Sequence, residues 1–296
     1  MGHGLIPYNP FITGLTNMPK YFYNLADIVL ELDLPFSLEV RQESVPFLTA
    51  PRVPNCKFLL RSTESIPFPA SDIIWDEDIG SVNIDGSVCT YFRNGDEIVA
   101  FRKEETDVTT LEYLSKCQRY FISSHDLLNY LGVESLFLRH CAIMLHASFV
   151  CWNGDGILFS APCGTGKSTQ AELWRRHLGA EIINGDRTAI RLINGEWIAY
   201  GIPYAGTSQI YKNKNAPIKA IVLLSKGPHN SIRALPPMQA LRRVLPEVSI
   251  KRTDKSSVNG TMDLLLKLLV DVPVYALDCL PDFGAVDLLR ETLYKG

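Results

Sequence analysis

The sequence has no long uninterrupted apolar run. Its most apolar stretch, "SLFLRHCAIMLHASFVCW", is broken by Arg139, His140 and His146, so it does not read as a membrane span of ~20 residues. The opening "MGHGLIPYNPFITG" has neither the basic start nor the apolar core of a signal peptide. There is no excess of positive charge. Lys and Arg number 29 against 32 Asp and Glu, a net charge of −3, which gives no basic field for collecting nucleic-acid phosphates. There is no CxxC spacing either. The seven cysteines (56, 89, 117, 141, 151, 163 and 279) are odd in number and scattered, a pattern of reduced thiols in the cytoplasm rather than of a structural zinc site. The expectation is a cytoplasmic protein with neither nucleic acid nor membrane as partner.

What is present is globular. At 296 residues, 46% hydrophobic and 21% charged, the chain holds one large or two medium domains. The first third reads mainly as β. In "VNIDGSVCTYFRNGDEIVAFR" (82–102) the dipeptides Asp85-Gly86 and Asn94-Gly95 separate runs of Val, Ile, Tyr and Phe, a three-stranded meander. The proline-rich pieces at 45–55 and 65–71 belong in loops or at sheet edges. From 106 to 132 the spacing of Leu111, Leu114, Phe121, Leu127, Leu128 and Leu131 predicts helix. The domain junction is placed there: a β-rich domain over 1–125, a candidate for substrate binding, and a catalytic domain over 126–296.

Beyond the junction, strands are expected over 141–150 and 156–161, followed by a helix from Ser168 to Leu178 closed by Gly179. "EIING" (181–185) reads as a strand ending at Asp186, and 188–202 as a hairpin about Asn194-Gly195. "IKAIVLLS" (218–225) reads as a buried strand. Helices near 238–246, 261–270 and 283–294 close the chain, with a strand over 272–277.

The chemistry concentrates in "FSAPCGTGKST" (159–169). Strand, glycine turn and hydroxyl-led helix in that order make a phosphate cradle, a P-loop or Walker A segment. The helix start offers unpaired amides and the positive dipole end, and the glycines let the backbone curl round an anion. The cradle residues are Pro162, Cys163, Gly164, Thr165, Gly166, Lys167, Ser168 and Thr169, with Lys167 toward the terminal phosphates and the Ser168 hydroxyl toward magnesium. The strict pattern opens with glycine where this chain has Ala161, tolerable if φ there stays negative.

Asp186, at the end of the next strand, is the candidate carboxylate for metal or proton; an ordinary Asn-Gly-Asp turn is the alternative. If 141–150 and 156–161 pair about 153–154, His146 faces Ala161. It is then either a group tuning the acid that takes the proton or a core histidine satisfied by a carbonyl. The irregular segment "GIPYAGTSQIYKNKNAP" (201–217), with Lys212 and Lys214, is a candidate substrate loop or a plain crossover.

Together, "LHASFV", "GILFSAPCGTGKST" and "AEIINGDRTAI" resemble the catalytic core of the HPr kinase/phosphorylase family, related in its P-loop architecture to ATP-dependent phosphoenolpyruvate carboxykinases. The resemblance covers about 140–225, with the closing "VPVYALDCLPDFGAVDLLRETL" also similar. It implies a mixed-sheet α/β P-loop core with a smaller β-rich N-terminal domain. His146 matches the family's strand histidine, and Asp186 the second member of its Asp-Asp pair. The first member is Gly185 here, and the signature with a second magnesium-binding glutamate is absent from "AYGIPYAGTSQIY". Those departures speak against phosphorylase activity and against HPr as substrate. They make the chain more similar to divergent HPr-kinase-like proteins, including lasso-peptide precursor kinases.

The resemblance implies ATP and Mg2+, with Lys167, Asp186 and His146 as catalytic residues and Ser168 and Asp186 as metal ligands. The acceptor it implies is a serine hydroxyl of a peptide or protein. A free-serine kinase and a non-catalytic, nucleotide-responsive peptide-binding module are the alternatives, and monomer against homo-oligomer stays open.

Overall fold

A computed structural model describes residues 19–68, 72–204 and 206–294. The readings made above of residues 1–18, of 69–71 and of position 205 lie outside them. The fold is mixed α/β and divides into two compact units, one of the described residues up to Leu136 with Lys251–Val258, the other of Phe137–Ile250 with the residues from Asn259 onward.

The first unit carries one mixed sheet built from β1 (Lys20–Leu25), β2 (Ile28–Asp33), β3 (Cys56–Thr63), β4 (Ile74–Asp76), β5 (Ile79–Ile84), β6 (Ser87–Asn94), β7 (Glu97–Glu104) and β8 (Val108–Leu114). Their order is β1-β2-β3-β8-β7-β6-β5-β4. The meander β5-β6-β7 is present. Asp85-Gly86 closes its first turn with both φ positive (50° and 81°), as a type I′ hairpin requires. The second turn is centred one residue later than expected. Asn94 pairs with Glu97, so Gly95-Asp96 forms the loop, with a bulge at Phe92/Arg93 that absorbs the shift.

The helix expected from 106 begins too early. Residues 108–114 are β8, with Thr109, Leu111 and Tyr113 buried on alternate positions. The β-branched run Val-Thr-Thr and a period of two outweigh the leucine spacing. Only from Ser124 does helix α1 (Ser124–Tyr130) start, capped by the Ser123 hydroxyl on the Asp126 amide. Helix α2 (Val133–Arg139) follows.

The second unit contains β9 (Ala142–Trp152), β10 (Asp155–Ser160), α3 (Lys167–Leu178), β11 (Glu181–Asn184), β12 (Arg187–Ile193), β13 (Glu196–Gly201), β14 (Asn215–Lys226), β15 (Ser231–Ala234), α4 (Pro237–Val244), α5 (Lys255–Asp271), β16 (Val274–Cys279) and α6 (Phe283–Tyr294); α5 begins in residues assigned to the first unit. The β9-β10 hairpin turns on Asn153-Gly154 and pairs Ala147 with Ser160, the register anticipated from that turn. Strand β9 is shared between neighbours. Ala142–His146 pair with β12, whereas Ala147–Trp152 pair with β10. His146 therefore sits where β9 changes partner, and strand ends converge at such a point. Strand β14 runs parallel to β10 and β16 and is buried through Ala220–Leu224, which explains its unbroken apolar run.

Helix α3 lays Ala171 and Trp174, both buried, on Ile157 and Phe159 of β10 and on Val286 and Leu289 of α6. It stops at Gly179, φ +67°, whose N–H donates to Arg175 O. This docking fixes the direction in which the helix start points. Among the described residues no helix is long and apolar enough to cross a membrane.

Candidate functional site

Strand β10 ends at Ser160 and α3 begins at Lys167, so residues 161–166 form the turn between them. Gly164 (φ +75°) and Gly166 (φ +125°) take backbone conformations that L side chains resist, and a Cβ on either would meet nothing within 4 Å. Their need is thus for the curl itself. Ala161 is not among the positive-φ residues, so the loop accommodates alanine at its first position. The first helical bond runs from the Gln170 N–H to Gly166 O. The amides of Lys167, Ser168 and Thr169 precede it, and the cap, a glycine, has no side chain to receive them. Three donors at a positive helix end are left for an anion.

Pro162, Cys163, Gly164, Ser168 and Thr169 are exposed, Thr165 and Gly166 half-buried, and Lys167 buried. The Lys167 amine donates to the carbonyl of Ala161 at 2.6 Å and more weakly to that of Pro162 at 3.5 Å. Burial pulls its pKa down, with the negative charges of Glu247 and Asp186 acting the other way. The lysine is thus held at the loop by groups that a phosphate oxygen can replace.

The second group of residues forms at the end of β11. Asn184, fully buried, donates to Ile202 O at 2.7 Å, and its own carbonyl accepts the amides of Asp186 at 2.9 Å and Arg187 at 3.1 Å. Ser148 Oγ donates to Gly185 O at 2.9 Å. The Asn-Gly-Asp segment is therefore a hydrogen-bonded turn that fixes the backbone of Asp186.

Register places His146 opposite Arg187, and its ring meets carboxylates on both sides. Nε2 lies 3.2 Å from Asp186 Oδ1, and Nδ1 lies 2.7 Å from Glu247 Oε2. With both carboxylates ionised, both ring nitrogens donate and the ring is the imidazolium. Accordingly the His146 pKa is raised, first by the bond to Asp186, against burial and with help from Glu247. The Asp186 pKa is lowered, first by the bond to His146, against burial. His146 is thus a partner of the acid and has no carbonyl-satisfied core role.

A cavity of about 350 Å³ opens here, lined by His146, Asp186, Arg187 and residues 246–249.

No family model and no curated protein matches the chain. Among solved structures it is similar to the Hpr(Ser) kinase/phosphatase from Coxiella burnetii. The identity is 16% and the TM-score 0.30, over 51% of this chain and 88% of that one.

Glu247 was not anticipated from the sequence. It ends a short 3-10 turn, Leu245–Glu247, after α4, more than a hundred residues from His146, and no spacing rule connects the two. The turn is fixed by a bridge from Val248 to Leu145 and by Ser249 N–H donating to Met144 O at 2.9 Å. Gly206 was also missed: a Cβ there would lie 2.7 Å from the Asp186 carboxyl carbon, so the chain touches the acid where only glycine fits. In the 201–217 segment, Lys212 and Lys214 both bind Glu181 at 2.8 Å, and they serve to tie the loop to β11.

Among the described residues no group of three or more His, Cys, Asp or Glu side chains is arranged to hold a metal alone. The exposed Ser168 hydroxyl and the partly exposed Asp186 carboxylate are oxygen donors of the kind that magnesium takes, and magnesium keeps water and phosphate for most of its ligands.

Proposed function

We propose that the protein is an ATP-dependent phosphotransferase that moves the γ-phosphoryl group to a hydroxyl, a serine of a peptide or protein acceptor. One observation carries this reading: a helix-start loop with three unpaired amides and a buried lysine belongs to the same unit as a carboxylate held by a histidine. A cradle alone binds; a cradle with an oriented acid can also direct a nucleophile.

In this scheme the amides of residues 167–169 and the Lys167 amine hold the phosphate oxygens and offset the charge that develops on them. Ser168 and Asp186 would hold magnesium, which when bound neutralises phosphate charge. Asp186, kept ionised by His146, is a weak base, suited to aligning the acceptor hydroxyl and taking its proton late. Phosphoryl transfer with a loose transition state asks little more. His146, with both nitrogens engaged, positions Asp186 and does not itself accept the proton. Gly185 leaves Asp186 as the acid of this strand end. The resemblance to lasso-peptide precursor kinases supports a ribosomally made precursor peptide as the acceptor.

The test is transfer of labelled phosphoryl from MgATP to serine-bearing peptides. Wild type is expected to turn over, and Lys167→Ala to lose at least about a hundredfold in rate, the usual effect of deleting one transition-state donor. Full transfer by that variant would refute the assignment of the cradle.

A further inference from the structure

The cavity beside Asp186 contains no residue of the 161–169 loop. It is thus lined apart from that loop, and its charges are informative. Two carboxylates, Asp186 and Glu247, flank the imidazolium of His146. By themselves these three are net negative and repel an anion. Arg187 restores neutrality.

Its guanidinium is little used. Of five N–H donors, Arg187 commits, among the described residues, one hydrogen bond, Nη1 to Ser249 Oγ at 3.4 Å, and a distant ion contact, Nε to Asp186 Oδ2 at 3.8 Å. The Tyr204 ring lies 5.8 Å from the guanidinium carbon. The side chain is 42% exposed, and its root is pinned by Asn184 holding the Arg187 amide. A guanidinium steadied from several sides, with most donors free and a cavity in front of it, is the arrangement that receives a carboxylate in bidentate fashion.

We infer that Arg187 is the acceptor anchor: the cavity takes a hydroxyl compound bearing a carboxylate near the hydroxyl, and Arg187 binds that carboxylate. This rests on the phosphotransferase reading and adds the substrate's charge to it. The carboxylate can be the serine's own terminal group or a neighbouring acidic side chain. The volume, about 350 Å³, holds one or two residues of an acceptor and is at the small end of ligand sites.

Product analogues test this without knowing the acceptor. In the presence of MgADP, calorimetry compares N-acetyl-O-phosphoserine, its methylamide, and the methylamide with aspartate preceding the phosphoserine. Wild type is expected to bind one of the two carboxylate-bearing forms at least about tenfold more tightly than the neutral methylamide. Whichever form gains identifies the source of the carboxylate. Arg187→Gln is expected to erase that gain, and Arg187→Lys to keep part of it, while MgATP affinity stays within about twofold. Equal or absent binding of all three forms by wild type, or an unchanged preference in Arg187→Gln, overturns the anchor. Failure of wild type to bind MgATP at all overturns the phosphotransferase reading instead.

Discussion

At the scale of single residues, the site turns on an imidazolium between two carboxylates. The His146 pKa is raised above its ordinary 6.5, so its contribution to stability is complete below that value and is lost as pH rises through the raised one. The Asp186 pKa is depressed below 3.8, so its contribution is present above 3.8 and disappears as pH falls through the lowered value. Activity that depends on the pair should thus survive acid well and fail on its alkaline side, where His146 loses its proton and releases Asp186. Glu247→Gln removes one of the two groups holding that proton, and its expected signature is an alkaline limb moved to lower pH with a downward shift of the His146 titration in proton NMR. An unchanged His146 titration in that variant would mean that Glu247 does not hold the ring. Asp186→Asn keeps the shape and removes the charge, and a loss in transfer on the order of a hundredfold or more is expected, with nucleotide binding largely kept.

At the scale of elements, the second unit was largely legible and the first was less so, for a physical reason. Tight turns announce themselves. Asn153-Gly154, Asn194-Gly195 and Asp85-Gly86 each take two positive φ values, and with the turn fixed, the register of the β9-β10 hairpin follows by counting. The buried set of 106–132 was also legible, since Leu111, Phe121, Leu127, Leu128 and Leu131 are all in the core. What the leucine spacing could not reveal is that residues 108–114 find partners on both sides, β3 parallel and β7 antiparallel. Pairing across fifty residues is a tertiary fact that overrides local propensity. The site divides in the same way. The cradle and Asp186 lie in a contiguous segment with local rules, whereas Glu247 reaches His146, and Gly206 the acid, only through the fold.

Gly206 offers an element-level test. With φ +53° and the Asp186 carboxyl within 2.7 Å of a would-be Cβ, Gly206→Ala must strain its turn or push the acid aside. Transfer should fall about tenfold or more while the urea midpoint moves little, because the loop is peripheral to both cores. A large stability loss with normal kcat would show that the contact is merely structural.

At the scale of the whole molecule, the first unit is discontinuous, and the sequence holds no sign of it. Lys251–Val258 belong to that unit through buried polar bonds: Lys251 Nζ to Glu104 Oε1 at 2.8 Å, and Thr253 Oγ1 to Ser81 Oγ at 2.8 Å. Glu104 also accepts from Arg102 at 2.8 and 3.1 Å, so one buried carboxylate serves two buried cations. That asymmetry predicts an order of effects. Glu104→Gln removes the carboxylate that both Arg102 and Lys251 bind and should cost about 3–5 kcal/mol, whereas Lys251→Met leaves the Arg102–Glu104 pair intact and should cost much less. Urea unfolding measures both, with the m-value confirming that the same surface is exposed. If Lys251→Met proves as damaging as Glu104→Gln, the segment is held by the lysine's packing, and the buried charge network does not carry the return of 251–258 to its sheet.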